Sequence, residues 1–160
     1  MSDLTVLFVC WGNICRSPMA KVVADAFAAR EGLTGVRFSS AGVSGEEAGH
    51  GMDPRAVATL QAAGYRPGPF QAHRMTPDEI TSASMVIGMQ SIHLRKILEM
   101  VPGKHPLYLL SDFDPHATPG SAIEDPWYGD DSDFAVTLAQ IEGAMPEVIK
   151  RARELVRAAS

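Results

Sequence analysis

Only two cysteines occur in the 160-residue chain, too few for a disulfide framework. In a reducing compartment they are expected as free thiols. Basic residues are outnumbered, 14 Lys and Arg against 19 Asp and Glu, giving a formal charge of −5. That balance gives no support for broad electrostatic attraction to nucleic acid or to anionic membranes, and leaves room for a small positive pocket. The N-terminal stretch MSDLTVLFVC has no basic region, and its apolar run is short. It reads as neither a signal peptide nor a membrane span. The expected location is the cytoplasm, with export lacking a classical signal left open. His50, His73, His93, His105 and His116 are scattered without metal-ligand spacing, and Glu124, Asp130, Asp131 and Asp133 do not match a calcium loop. They read instead as a solvated face and a helix cap. No metal or cofactor is expected. There is no repeat, low-complexity tract or interdomain linker.

What remains is ordinary for a globular protein: 46% hydrophobic and 21% charged residues. The length suits one domain, residues 1–160, around one sizeable core. LTVLFVC at 4–10 is a continuous apolar run rich in β-branched residues, as in a strand buried on both faces. Ser17 and Pro18 then form a helix start, an N-cap serine with proline at the first helical position. That helix should end near Gly32. VRFSSAG at 36–42 reads as a second strand, and Asp53-Pro54 opens a helix reaching about Gly64. Thr76 begins a capping box with Glu79. SMVIGM at 84–89 is a third strand, residues 91–101 a helix, and HPLYLL at 105–110 a fourth strand. Residues 111–133 are loop-rich and acidic. The last helix should begin near Asp133, with Phe134, Leu138, Ile141, Met145, Val148, Ala152 and Leu155 as its apolar stripe. Pro146 should interrupt or kink it. Strands alternating with helices predict a three-layer α/β/α fold with a four-stranded parallel sheet. Ligands of such folds bind beyond the carboxyl ends of the strands.

Both cysteines lie at such an end, in VCWGNICRSP at 9–18. A loop running into a helix N-terminus aims backbone N–H groups at one point, and the helix dipole favours an anion there. Arg16 adds a planar fork of donors suited to two oxygens of one phosphate. Gly12 and Asn13 are residue types that tolerate the left-handed backbone a tight nest needs. The ATP-binding pattern GxxxxGK[ST] is absent. The loop dipoles and Arg16 favour the thiolate of Cys10, which makes it a nucleophile aimed at bound phosphorus. The same donors would hold the transition-state oxygens, and Ser17 could hydrogen-bond the sulfur as it departs. A single cysteine is more often a buried structural thiol. Cys-x5-Arg-Ser between a strand and a helix start meets too many independent requirements for that reading to be preferred.

This stretch resembles the phosphate-binding signature of the low-molecular-weight protein tyrosine phosphatases. SSAG at 39–42, DPRAVATLQAAGY at 53–65, FDP at 113–115 and EDPWYGDDSDF at 124–134 look like further landmarks, in family order. The likeness covers nearly the whole chain and looks closest to bacterial, particularly actinobacterial, members. The resemblance implies hydrolysis of phosphotyrosine through a phosphocysteine intermediate. Cys10 would be the nucleophile, Arg16 the phosphate clamp and Asp125 the general acid and base. Trp11, Gly12, Asn13, Ile14, Cys15 and Arg16 would bind phosphate, with Asn13, Ser17 and Ser40 supporting the loop. Trp11, Trp127 and Tyr128 would line a slot for the substrate ring, and Tyr128 could itself be a phosphorylation target. Cys15 could trap oxidised Cys10 as a reversible disulfide, or simply pack beneath the loop. Expected partners are tyrosine-phosphorylated proteins, with phosphate or other oxyanions as loop ligands, and the expected state is a monomer or weak dimer.

The chain departs from the family pattern in several places. Trp11 follows the nucleophile where relatives usually have a smaller residue, while SGEEAGH at 44–50 lacks a tryptophan common there. Trp11 is expected to supply part of that aromatic wall. Phe70 falls where a histidine is common, His73 replaces a usual arginine, and Met89-Gln90 replaces Met-Asp. The polar network behind the loop is therefore expected to be shorter. Arsenate reductase chemistry on this scaffold would need further cysteines, and none follows Cys15. Arginine phosphatases tend to carry threonine where this chain has Ile14. A phosphotyrosine-binding module without activity would be expected to lack Cys10, Arg16 or Asp125, and all three are present.

Overall fold

The computed structural model describes residues 3–160. Four parallel strands, β1 (Leu4–Cys10), β2 (Val36–Gly42), β3 (Met85–Gly88) and β4 (Leu107–Leu109), form one sheet in the order β2-β1-β3-β4. Five helices surround it: α1 (Arg16–Arg30), α2 (Pro54–Ala62), α3 (Pro77–Ser82), α4 (Ser91–Met100) and α5 (Asp131–Ala159). The α/β expectation and the four parallel strands hold. No helix of the described residues is long and apolar enough to cross a membrane.

The continuous apolar run of β1 is explained by its two faces. Val6, Phe8 and Cys10 pack with α1, α2 and α5, whereas Leu7 and Val9 pack with Ile80 of α3 and Ile97 of α4. These five of the seven β1 side chains are buried, and full burial of an aliphatic or aromatic side chain contributes roughly 1.5–3 kcal/mol. The chain leaves β1 towards β2 on one side and later returns to β3 on the other. The crevice at the carboxyl end of β1 is therefore where ligand sites of open parallel sheets arise.

Several boundaries differ from the sequence expectation. Helix α1 begins at Arg16, with Cys15 at the N-cap and no side-chain cap bond. Ser17 lies inside the helix because its hydroxyl is drawn into the loop beneath it, 3.0 Å from Cys10 Sγ. Strand β4 is only three residues, since the chain turns into a 3-10 helix from Leu110 to Phe113. Helix α5 begins at Asp131, capped by Asp130, which accepts from the amides of Ser132 and Asp133. Pro146 does not break it: α5 runs unbroken through that position. An interior proline costs about 3 kcal/mol. The stripe from Phe134 to Ala152 is buried against α1, α2 and the 3-10 turn after β4, and that packing outweighs the lost bond. The remaining caps hold as expected, with Asp53 accepting from Arg55 N and the reciprocal Thr76–Glu79 box in place.

Candidate active site

The loop between β1 and α1 is shaped by what its carbonyls bond to. Val43 N donates to Cys10 O and Ser44 N to Trp11 O, both at 2.9 Å, and Asp53 N donates to Ile14 O at 2.8 Å. The carbonyls are thus held on the outside. Among the described residues, the N–H groups of residues 12–15 have no acceptor, which leaves a concave set of donors at a helix N-terminus. Asn13 makes the required left-handed turn, at φ 61°. Gly12 does not have positive φ. A Cβ there would stand 3.4 Å from Glu47 Cγ, an ordinary contact with a flexible side chain. Gly42 is the tighter position: a Cβ would stand 3.0 Å from Trp11 O and 3.1 Å from both Asn13 Cβ and the Gly12 carbonyl carbon. Only glycine lets β2 pass so close beneath the loop.

A polar network holds the turn from behind. Asn13 Nδ2 donates to Ser17 Oγ at 2.8 Å and Ser40 Oγ at 3.0 Å, while Asn13 Oδ1 accepts from His73 N at 3.0 Å. All three side chains expected to support the loop are present in it. Position 73 contributes to the network through its backbone N–H. The His73 ring turns away to Glu79, 2.8 Å distant. Asn13 itself does not line the pocket; its side chain is buried behind it. Asn13 donates to Ser17 Oγ, and the Ser17 hydroxyl hydrogen has two acceptors within reach, Cys10 Sγ at 3.0 Å and the Ala41 carbonyl at 3.4 Å. Once Cys10 is a thiolate it is purely an acceptor, and that hydrogen turns to sulfur.

Arg16 is 2% exposed and forms the floor. Its Nη1 donates to Gln90 Oε1 and to the Ile123 carbonyl, both at 2.7 Å, across as many as 107 residues of chain. Nη2 faces Asp125 Oδ2 at 3.6 Å, and Nε has no partner. The anchored nitrogen is at one corner of the guanidinium. Nε and Nη2, which share an edge, remain open for the two oxygens of one anion. Gln90 is positioned in turn by His93 of α4, whose Nδ1 accepts from the amides of Met89 and Gln90 at 3.2 and 3.1 Å. Burial, then the nearby Arg16 charge, push the His93 pKa down to about 3, so the ring is neutral.

Cys10, Trp11, Gly12, Ile14, Cys15, Arg16, Asp125, Trp127 and Tyr128 line one pocket, joined by Ser44, Glu46 and Glu47. Trp11 and Trp127 are 40% and 45% exposed, and Tyr128 86%, an unusual amount of aromatic surface left open at a mouth. Trp127 and Tyr128 meet edge to face, with ring centroids 5.0 Å apart. Asp125 caps the short 3-10 turn Pro126–Tyr128, accepting from Trp127 N at 3.1 Å. Cys15 is buried, and its Sγ donates to Asp53 Oδ2 at 3.8 Å. Burial first, then the negative charge of Asp53, holds its pKa far above the ordinary thiol value, so it stays protonated.

Arg55 was not singled out from the sequence. Its guanidinium bonds Asp53 at 2.8 Å, the Trp127 carbonyl at 3.1 Å and the Gly129 carbonyl at 3.2 Å, and it lies 4.6 Å above the Phe134 ring. It therefore fastens the loop carrying Asp125 to α2. Asp53 is the shared base of this arrangement. Burial opposes its charge, but the bonds from Arg55 outweigh that and hold its carboxyl below the usual range. Both residues lie within DPRAVATLQAAGY, yet only the fold brings them beneath residues 127–129.

The model of the family described as low molecular weight phosphotyrosine protein phosphatase matches residues 5–158. Low molecular weight protein-tyrosine phosphatase A of Mycobacterium tuberculosis is 38% identical over 91% of this chain and 90% of its own length. A low molecular weight protein-tyrosine-phosphatase of Streptomyces coelicolor is 34% identical over 94% of each. The crystal structure of a protein tyrosine phosphatase from Entamoeba histolytica superposes with a TM-score of 0.89, covering 95% of this chain and 98% of the other, and at 24% identity it speaks for the fold. A donor-lined loop ending in an arginine fork, on this fold and with this extent of likeness, establishes that the chain belongs to the low molecular weight phosphotyrosine protein phosphatase family.

Proposed function

We propose that Cys10, Arg16 and Asp125 of this phosphatase hydrolyse phosphotyrosine monoesters in tyrosine-phosphorylated proteins. The carrying observation is that Asp125, remote in sequence, stands in the same pocket as Cys10 and 3.6 Å from Arg16. In the first step the Cys10 thiolate forms an S–P bond as the P–O bond to the phenol breaks. The loop amides and the open edge of Arg16 hold the three equatorial oxygens, where charge accumulates. Asp125, protonated, gives its hydrogen to the departing phenolic oxygen. In the second step the Asp125 carboxylate takes a proton from water as that water attacks phosphorus. The S–P bond breaks, inorganic phosphate forms and the thiolate returns, with the Ser17 hydroxyl donating to the leaving sulfur. Trp11, Trp127 and Tyr128 suit a flat aromatic ring between the loop and the solvent.

The test is phosphate release from matched phosphotyrosine, phosphoserine and phosphoarginine peptides. Phosphotyrosine should be cleaved selectively, with no turnover in Cys10→Ser. Asp125→Asn should lower kcat about 10²–10³-fold, least for leaving groups that need no proton. Preferential cleavage of phosphoarginine would keep the thiol chemistry and refute the substrate; full activity in Asp125→Asn would refute the acid.

A further inference from the structure

The pocket has a cationic floor and an anionic rim. Among the described residues, Arg16 is the only Lys or Arg that lines it. One wall is the turn after β2, carrying Glu46 and Glu47, and another is the Asp125 loop. Both walls come from stretches without positive charge: no Lys or Arg occurs between Arg37 and Arg55, or between Lys104 and Lys150. On the second wall Asp125 faces the Arg16 floor at 3.6 Å, and Arg55 behind the loop is bound to Asp53 and to two carbonyls.

The first wall is fixed in place. Glu46 N donates to Ser44 Oγ at 3.0 Å, and Ala48 N to Gly45 O at 3.1 Å. Glu47 is one-third exposed, with His50 Nδ1 at 2.7 Å from its carboxylate. Its stem lies against Gly12, at the edge of the phosphate loop. Glu46 is exposed and has no side-chain ion pair among the described residues. A phosphotyrosine long enough to reach Cys10 brings its own backbone and neighbouring side chains to the level of these carboxylates. The phosphate charge is met by the floor; the charged side chains that line the first wall are these two carboxylates, with Arg74 outside the pocket lining, behind the turn, donating Nε–H to the Val43 carbonyl at 3.2 Å.

We propose that Glu46 and Glu47 form a charge selector, so that the enzyme favours phosphotyrosine flanked by Lys or Arg over phosphotyrosine in acidic sequence. The proposal rests on the phosphotyrosine reading above and names the class of protein segment that fits it. Exposed charge pairs are individually weak, but attraction of one peptide and repulsion of the other by two carboxylates multiply. The preference expected at low ionic strength is roughly tenfold or more.

The experiment compares kcat/KM for three phosphotyrosine peptides identical except for flanking Lys, Ala or Glu. The expected order is Lys above Ala above Glu. The ratio of Lys to Glu peptide should shrink as salt approaches about 1 M, where the screening length falls to about 3 Å. It should fall to near one in the Glu46→Gln/Glu47→Gln double variant and invert in Glu46→Lys/Glu47→Lys. Equal hydrolysis of the three peptides by the unaltered enzyme at low salt overturns the selector while leaving the phosphatase reading intact. A Lys preference that persists unchanged in the double glutamine variant also overturns it. Hydrolysis of none of the three overturns both.

Discussion

His93 makes a specific demand on the acid stability of the protein. It is fully buried, its Nδ1 is occupied by two backbone donors, and its pKa falls from 6.5 to about 3 through burial and then Arg16. Between those values the unfolded chain binds a proton that the folded chain excludes. Stability is therefore complete above pH 6.5 and is lost as pH falls, with a slope of about 1.4 kcal/mol per pH unit. By pH 4.5 the loss from this one residue reaches roughly 3 kcal/mol, a large share of the 5–15 kcal/mol typical of a domain. Asp53 and Asp130, whose carboxyls are held low, weaken the fold only when pH falls below their ordinary value of 3.8. The interval from pH 6.5 to 4.5 isolates the histidine. Urea unfolding across that interval should show the slope in the unaltered protein and its loss in His93→Asn, where a side-chain oxygen can still accept from the two amides. The other histidines are common to both proteins and cancel in the difference. Equal slopes in the two proteins would refute the assignment of a neutral, buried ring at position 93.

Two further outcomes follow from the supports of the site. Arg55→Ala frees the carbonyls of Trp127 and Gly129, so kcat should fall roughly tenfold to a hundredfold through misplacement of Asp125; unchanged kcat would show that the loop holds itself. After limited peroxide, Cys10 sulfenic acid should condense with the Cys15 thiol, releasing water and forming a disulfide. Cys15→Ser should then recover less activity on thiol treatment than the unaltered enzyme, and equal recovery would assign Cys15 to packing alone.

The strands and helices were readable because their signals are local. A proline at the first turn, a reciprocal cap or an apolar run acts over a few residues, and Asp53-Pro54, Thr76-Glu79 and LTVLFVC each did so. Misreadings occurred where tertiary contacts compete with a local preference. Ser17 has the chemistry of a cap, but Asn13 and Cys10 take up its hydroxyl. Pro146 carries a helix-breaking cost that the buried stripe of α5 exceeds. At position 73 the bond to Asn13 comes from the backbone, which any residue would offer, so no side-chain signal in the sequence marks it.

By itself the sequence determined the α/β class and the chemistry of one contiguous loop. Cys10, Arg16 and Ser17 are close along the chain, so a strand end and a helix start suffice to bring them together. The family resemblance added Asp125, which no spacing rule could pair with Cys10. Tertiary structure alone decided that Gln90 and Ile123 anchor one corner of Arg16 and leave the opposite edge open. It alone put Arg55 beneath the Asp125 loop and Gly42 against the phosphate loop. It also raised Glu46 and Glu47 to the pocket mouth. These are contacts between segments distant in the chain. Their distances are set by how the sheet and its helices pack, and no periodicity in the sequence encodes them.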